Sequence, residues 1–434
     1  MNILHLCPHL GGGVKTVLLG WATNDNINNH IFMSLGYADE QVEQLCNKNN
    51  IKIFSNAEYN LICKYVQDFA DIVIIHYWNF PLLLDFLIQK TLPKCRVITW
   101  FHNSGFYAPY NLPKEIIEYS DKFIFTSPIS YELEVITNLS KESKDKLGCI
   151  WSTGGIEKYK DIKQNKHEGF NILYVGTLDF AKMYNNFVEV CFRISKQIPE
   201  ANFIICGTGS SEQEIIEQTE FYGIRDKFIF AGLVKNLIPY FEIADIFLYL
   251  LEPTHFGTAE QILGEVMASG IIPVVFRNKC EKQIVENNIN GYIISTDDEC
   301  LSVVQQIYND KDKLTTSSIS LNASISAQEK YSIEIMINDW NKLFNEVILL
   351  PKKERQWFTN FKDMYGEGTI AFLESLDYKI ATAFQKYITY EQQIENIFNS
   401  NLQWQSTSKG SIKQYLQYFP NDKYLNKFQK IMNK

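Results

Sequence analysis

The chain has 434 residues, 46% hydrophobic and 21% charged, which suits two globular domains with ample core and excludes a disordered or fibrous polypeptide. Its net charge of −9 argues against nucleic acid as a partner, because phosphate backbones are met by clustered Lys and Arg. Nine cysteines stand singly without C-x-x-C spacing, so they read as reduced thiols and not as a disulfide frame or zinc site.

The first residues, MNILHLCPHLGGG, lack the basic start and apolar run of a signal peptide, and no uninterrupted apolar segment is long enough to cross a bilayer. The expected setting is the cytoplasm, with any membrane contact peripheral, at the inner face. In chain order, NILHLC leads into a helical KTVLLGWATN; HIFMSLG, IKIF, DIVIIHYW, CRVITWFH and KFIFTS follow as short apolar runs between amphipathic stretches. That alternation predicts parallel strands covered by helices on both faces. After a polar, glycine-bearing linker from Trp151 to Gly169, a second series runs FNILYVG, ANFIICGTG, KFIFAG, IFLYL, IIPVVF and GYIIS. From Tyr331 the apolar spacing is purely helical, and Pro351 breaks it before an aromatic-rich helical tail with a basic end. These patterns predict an α/β chain with domains at 1–160 and 161–330, a crossover helix at 331–350 and a helical extension at 351–434. Packing on the body is favoured for that extension over dimerisation or membrane contact.

Several stretches have the residue types for anion binding. A strand ending in glycines before a helix offers N–H groups and a positive dipole end, as in CPHLGGGVKT, which holds Gly12 and Gly13. The P-loop spacing fails there. CGTGSSEQEI is not a dinucleotide fingerprint either, since Glu212 stands where the third glycine belongs; both stretches also read as tight turns. In YVGTLDFAKMYNNF, Gly176 and Thr177 close a strand and Lys182 lies at the next helix entrance, placed to neutralise phosphate or simply to be solvated. In HFGTAEQILGEVMASGIIPVV, Thr258 and Gln261 form a capping-box pattern that predicts a helix starting near Thr258, with Gly257, Thr258 and Ala259 at its mouth and Glu260 in its first turn. Glu265 falls on a different face from Glu260, suited to two ribose hydroxyls or to water. The acidic pair Asp297–Asp298 reads as a surface loop, and no metal is required.

Taken in order, LGGG, VGTLDFAK, FIICGTGS, FIFAGLV, IPYFEIADIFLYLL, EVMASGIIPVV and IVENNINGYII resemble a family-4 retaining glycosyltransferase (glycosyl transferases group 1) over roughly residues 1–348. The resemblance implies the GT-B fold, two Rossmann-like domains facing across a cleft. It also implies transfer of a sugar from a nucleotide-diphosphate donor, with retention, to a glycan, glycolipid or glycoprotein acceptor of the cell surface. Residue by residue, Glu265 matches the second glutamate of E-x7-E, on the ribose, and Lys182 the lysine on the diphosphate. Gly12 and Gly13 match the glycine loop at the reaction centre, and His102 the histidine near the donor sugar, with His76 a weaker rival read as structural. Gly176, Thr177, Gly257, Thr258, Ala259 and Glu260 complete the expected donor contacts. Two positions depart from the family: Thr177 replaces an arginine, and Gly257 replaces the first glutamate of E-x7-E, with Glu260 too near in sequence to substitute simply and His255 a further participant. The alternatives are a degenerate nucleotide-sugar-binding accessory subunit and a sugar-nucleotide epimerase.

Overall fold

The computed structural model describes residues 1–361, 365–390, 393–408 and 410–433, without the side chains of 315 and 316; the remaining residues of the 351–434 extension lie outside the described residues. The chain forms two units, Met1–Gly154 with Met336–Lys434, and Gly155–Ile335.

The first unit is built on seven parallel strands: β1 (Asn2–Cys7), β2 (Asn29–Ser34), β3 (Lys52–Phe54), β4 (Ile72–Tyr77), β5 (Val97–Phe101), β6 (Lys122–Phe125) and β7 (Leu147–Cys149). Their order in the sheet is β3-β2-β1-β4-β5-β6-β7. The continuous apolar runs of β4 and β5 are buried at every position, as parallel strands covered on both faces require. Six of these strands follow from the sequence pattern; β7 does not, being three residues long with glycine at its centre. The helix Gly12–Asn24 leaves β1 directly and buries Trp21, which stacks on Trp340 of the helix Ile333–Val347 at 4.6 Å.

Residues after Pro351 belong to this unit. Trp357, Phe372, Trp404 and Tyr415 share one apolar cluster with Leu83 and Leu87 of the helix Pro81–Gln89. Arg355, buried, pairs with Asp121, and Lys353 bridges to Cys95. Burial of these large side chains makes the segment part of the core and not a free appendage.

The division at Gly154/Gly155 falls six residues before the boundary expected from the sequence. Two glycines explain it, because a Cβ on Gly20 would lie 2.2 Å from the Gly154 carbonyl oxygen, so the chain crosses the helix Gly12–Asn24 in bare backbone contact. Beyond that crossing, Glu157 accepts a hydrogen bond from the Ile333 N–H at 3.0 Å, tying the next residues to the second unit.

The second unit has six parallel strands, all legible in the sequence: β8 (Phe170–Val175), β9 (Ala201–Cys206), β10 (Phe228–Gly232), β11 (Ile246–Tyr249), β12 (Ile272–Phe276) and β13 (Tyr292–Ile294). The order is β10-β9-β8-β11-β12-β13. After β8 and β9 the loops touch through backbone: a Cβ on Gly207 would sit 1.8 Å from the Gly176 oxygen. Asp297 and Asp298 are not in a loop; they open the helix Asp297–Asn309, capped by Thr296, where acidic residues complement the helix dipole. Among the described residues, no helix is long and apolar enough to cross a membrane.

Candidate functional site

The helix expected to start near Thr258 starts three residues later. It spans Gln261–Ala268, with Glu260 at the N-cap position in the left-handed region (φ 34°, ψ 64°). Gln261 closes no capping box; its Nε2 donates to Glu265 Oε1 at 2.8 Å. Thr258 is buried in the preceding turn, whose carbonyls are tied inward: Thr258 accepts from the Cys280 thiol and Ala259 from the Tyr331 phenol. Those bonds displace the capping pattern, and Glu260 takes the turn's unfavourable backbone conformation.

The consequence is chemical. Glu260 Oε1 lies where a side chain on residue 257 would begin, 1.8 Å from the position of a Cβ there. The left-handed turn thus carries the Glu260 carboxylate back over Gly257, into the space where a side chain at that position would start.

Lys182, in the loop after β8, sets Nζ 3.1 Å from Glu260 Oε2, with side chains only 16% and 4% exposed. The same oxygen accepts the Tyr249 hydroxyl at 2.6 Å, and the Tyr249 and Phe256 rings lie 5.8 and 5.6 Å from the ammonium. Burial alone would raise the Glu260 pKa; Lys182, His255 and the Tyr249 hydroxyl outweigh it and hold the carboxyl below its ordinary value. His255 is buried, with Nε2 3.1 Å from Glu281 Oε1 and Nδ1 4.0 Å from Glu260 Oε1. Burial disfavours its charge, but Glu281 and then Glu260 prevail and raise its pKa. The Gly257 N–H donates to His255 Nδ1 at 3.0 Å, so this amide is already engaged.

Glu265 does not face water. It is buried and held by Gln261 and by the phenol of Tyr159, which a 3-10 turn (Glu157–Tyr159) within the linker supplies. Burial raises its pKa, with Gln261, Lys158 and Tyr159 opposing. Thr177 is exposed and Gly176 packs against the Tyr174 hydroxyl, so the strand end carries no charge in place of the family's arginine. Lys182, Glu260 and Gly257 thus form one cluster with Tyr249, His255 and Glu281, while Glu265 stands apart with Tyr159. Glu281, Tyr159 and Tyr249 had no sequence signal, since each enters from a distant segment.

Gly12, Gly13 and His102 belong to the first unit. Gly12 (φ 58°) and Gly13 are exposed at the start of the helix Gly12–Asn24, with open space where a Cβ would stand. His102 follows β5, its Nε2 2.9 Å from Nδ1 of His76, which is fully buried. A hollow of about 670 Å³ in the second unit, lined by Tyr184, Arg193, Arg277 and Asp298, contains none of the expected site residues.

Residues 155–318 match the family model described as Glycosyl transferases group 1. An uncharacterized 41.2 kDa protein in the cps region of Klebsiella pneumoniae is 23% identical over 325 residues, 69% of this chain and 87% of that protein. An uncharacterized glycosyltransferase of Haemophilus influenzae is 26% identical over 181 residues, 41% of this chain and 50% of that one. The crystal structure of Anabaena HepE in complex with UDP superposes with a TM-score of 0.63 at 14% identity, covering 80% of this chain and 100% of HepE. That likeness establishes the fold: two parallel-sheet, Rossmann-like units of the kind seen in GT-B glycosyltransferases. The residues that match the Glycosyl transferases group 1 model lie within the second unit.

Proposed function

We propose that this protein transfers a sugar from a nucleotide-diphosphate donor to an acceptor hydroxyl, with retention of configuration, in the assembly of a cell-surface glycan. The observation that carries the proposal is the Lys182–Glu260–Gly257 cluster at the mouth of the helix Gln261–Ala268, within the residues that match the group 1 model. HepE is known in complex with UDP and with UDP-glucose, and the Klebsiella relative comes from a cps region; both support a nucleotide sugar and a capsule-type product.

As the sugar leaves, negative charge grows on the diphosphate. Lys182, held by aromatic walls, supplies a fixed positive charge, and the helix start supplies N–H donors with the dipole's positive end. When phosphate oxygens take up the ammonium, the Glu260 carboxylate is released to accept hydrogen bonds from hydroxyls of the donor sugar. Glu265 is placed to take the ribose hydroxyls, since Gln261 and Tyr159 are neutral donors that two hydroxyls can replace. Gly12 and Gly13 offer unobstructed backbone at the start of their helix. No step in this scheme requires a metal.

The test is a thermal-shift screen of the full chain with UDP-, GDP-, ADP- and CMP-sugars, since a ligand that binds the folded state raises the midpoint by mass action. Positive donors are then incubated with hydroxyl acceptors, and the anomeric configuration of the product is read by NMR. Stabilisation by one nucleotide class and a product of retained configuration are expected. No stabilisation by any donor overturns the proposal; binding without transfer favours an accessory subunit; conversion of the donor without acceptor favours an epimerase.

A further inference from the structure

Four of the seven histidines form a single hydrogen-bonded row inside the first unit. Each sits on or just after a different strand, in the sheet order β2, β1, β4, β5: His30, His5, His76 and His102. The strand register makes the row oblique. His30 lies on β2 opposite Ile3, two residues before His5; His5 pairs with Ile74, two before His76; His76 pairs with Trp100, two before His102. A stagger of two keeps all four rings on one face of the sheet. The row therefore climbs from the amino end of β2 to the carboxyl end of β5, the edge at which open α/β sheets bind ligands.

The ring nitrogens meet at 2.9 Å at all three junctions, His30–His5, His5–His76 and His76–His102. At the far end, Asp25 Oδ2 lies 3.1 Å from His30 Nε2. Asp25 also accepts from the Asn28 amide at 2.8 Å, the Ile27 N–H at 2.9 Å and the Asn28 N–H at 3.1 Å. Burial opposes its charge, but these bonds, led by that from His30, keep its carboxyl well below the usual range. Burial first, then neighbouring imidazoles, depresses His5 and His76, and burial depresses His102 to about 3, so these rings are neutral near pH 7.

With Asp25 ionised and one proton on each ring, a single arrangement satisfies every junction. An ionised Asp25 only accepts, so His30 carries its proton on Nε2 and offers Nδ1 as an acceptor. A neutral imidazole has one proton, so His5 must donate from Nε2 to His30, His76 from Nε2 to His5, and His102 from Nε2 to His76. His102 Nδ1 is left without a proton. His102 is also the partly exposed member of the row, and His76 is its ring's hydrogen-bond partner among the described residues.

We propose that Asp25, His30, His5 and His76 are positioning residues that lock His102 with a bare Nδ1, making it an acceptor reserved for a hydroxyl of the bound ligand. The identification of that hydroxyl as a sugar's rests on the proposed function; the lock itself does not. Aligned bonds polarise one another in a dry interior, so the Asp25 charge strengthens the acceptor at the other end. Trp21 and Trp100 wall the row, at 5.2 Å from His5 and 5.8 Å from His76. A row serving stability alone has no need of three buried imidazoles where Val or Ile would carry no desolvation cost.

The experiment is nitrogen-15 NMR of the histidine rings in the full chain without ligand. Wild type should give a proton-free Nδ1 and a protonated Nε2 for His102. In Asp25→Asn the anchoring charge is gone, and His102 should populate the Nδ1-protonated form. His30→Phe, which keeps a ring but cuts the row from Asp25, should do the same and serves if Asp25→Asn does not fold. With a donor identified by the screen above, both variants should lose about tenfold in affinity, the scale of one hydrogen bond, and a deoxy donor lacking the bonded hydroxyl should erase the difference. A wild-type His102 protonated on Nδ1, or a tautomer unchanged in both variants, overturns the lock. A locked tautomer with no sugar nucleotide bound would instead overturn the proposed function.

Discussion

The two units share one architecture, a parallel sheet with helices, yet they treat buried imidazoles in opposite ways. In the first, His5 and His76 bond to other histidines and burial keeps them neutral; the row's negative charge sits outside it, on Asp25. In the second, His255 lies against Glu281 and near Glu260, and the carboxylates raise its pKa. The difference shows that a buried histidine is a polar wire or a charge carrier according to its partners, not its depth. One unit is suited to directing a hydrogen bond, the other to balancing charge beside Lys182.

Removing charge from the second unit should have the largest effect. Lys182→Ala and Glu265→Ala are each expected to lower transfer about 100-fold or more, as for the loss of one preorganised electrostatic contact, and Lys182→Ala, which strands the buried Glu260 carboxylate, should also lower the unfolding midpoint. Steady-state rates with the donor found by screening check this. Near-wild-type turnover in both variants would remove the site.

Next in size is the partner of His255. Glu281→Gln leaves the ring without its nearest carboxylate and should cost about 3 kcal/mol in urea unfolding, the scale of breaking a buried pair. The His255 ring, followed by NMR, should titrate above 6.5 in wild type and below it in the variant. Because its folded pKa is raised, its contribution to stability is full below about pH 6.5 and is lost as pH rises through the folded value.

The first unit should show the opposite sign. The folded pKa values of His5 and His76 are depressed, so below about pH 6.5 the unfolded chain binds protons that the folded unit refuses. Stability should fall by about 1.4 kcal/mol per pH unit for each ring, and Asp25 adds loss in the same direction below about pH 4. All seven tryptophans lie in the first unit, so their fluorescence reports its unfolding alone. A urea midpoint that does not move between pH 7 and 5 would contradict the neutral row.

Two glycines sharpen the contrast at the smallest scale. Gly257→Ala forces Glu260 off its position and should reduce transfer about tenfold, while Gly13→Ala meets nothing within 4 Å and should change stability by no more than about 0.5 kcal/mol. Wild-type turnover in Gly257→Ala would show that the Glu260 carboxylate over Gly257 is incidental.

The sequence by itself determined the two parallel sheets and their strand order in the chain, because continuous apolar runs alternating with amphipathic helices have few other ways to be buried. It also displayed Lys182, Glu265 and one histidine on or beside each of four strands. Only the tertiary structure decided what those residues meet. The oblique histidine row depends on strand register, and Glu260 reaches Gly257 because a turn tied inward by Cys280 and Tyr331 forces a left-handed backbone that no capping pattern announces. The helical segment after Pro351 joined the first unit for a similar reason: its aromatic residues fit a core formed by helices and strands hundreds of residues earlier. Local pattern encodes which elements form; long-range contact, which local propensity does not carry, sets which side chains share a charge or a proton.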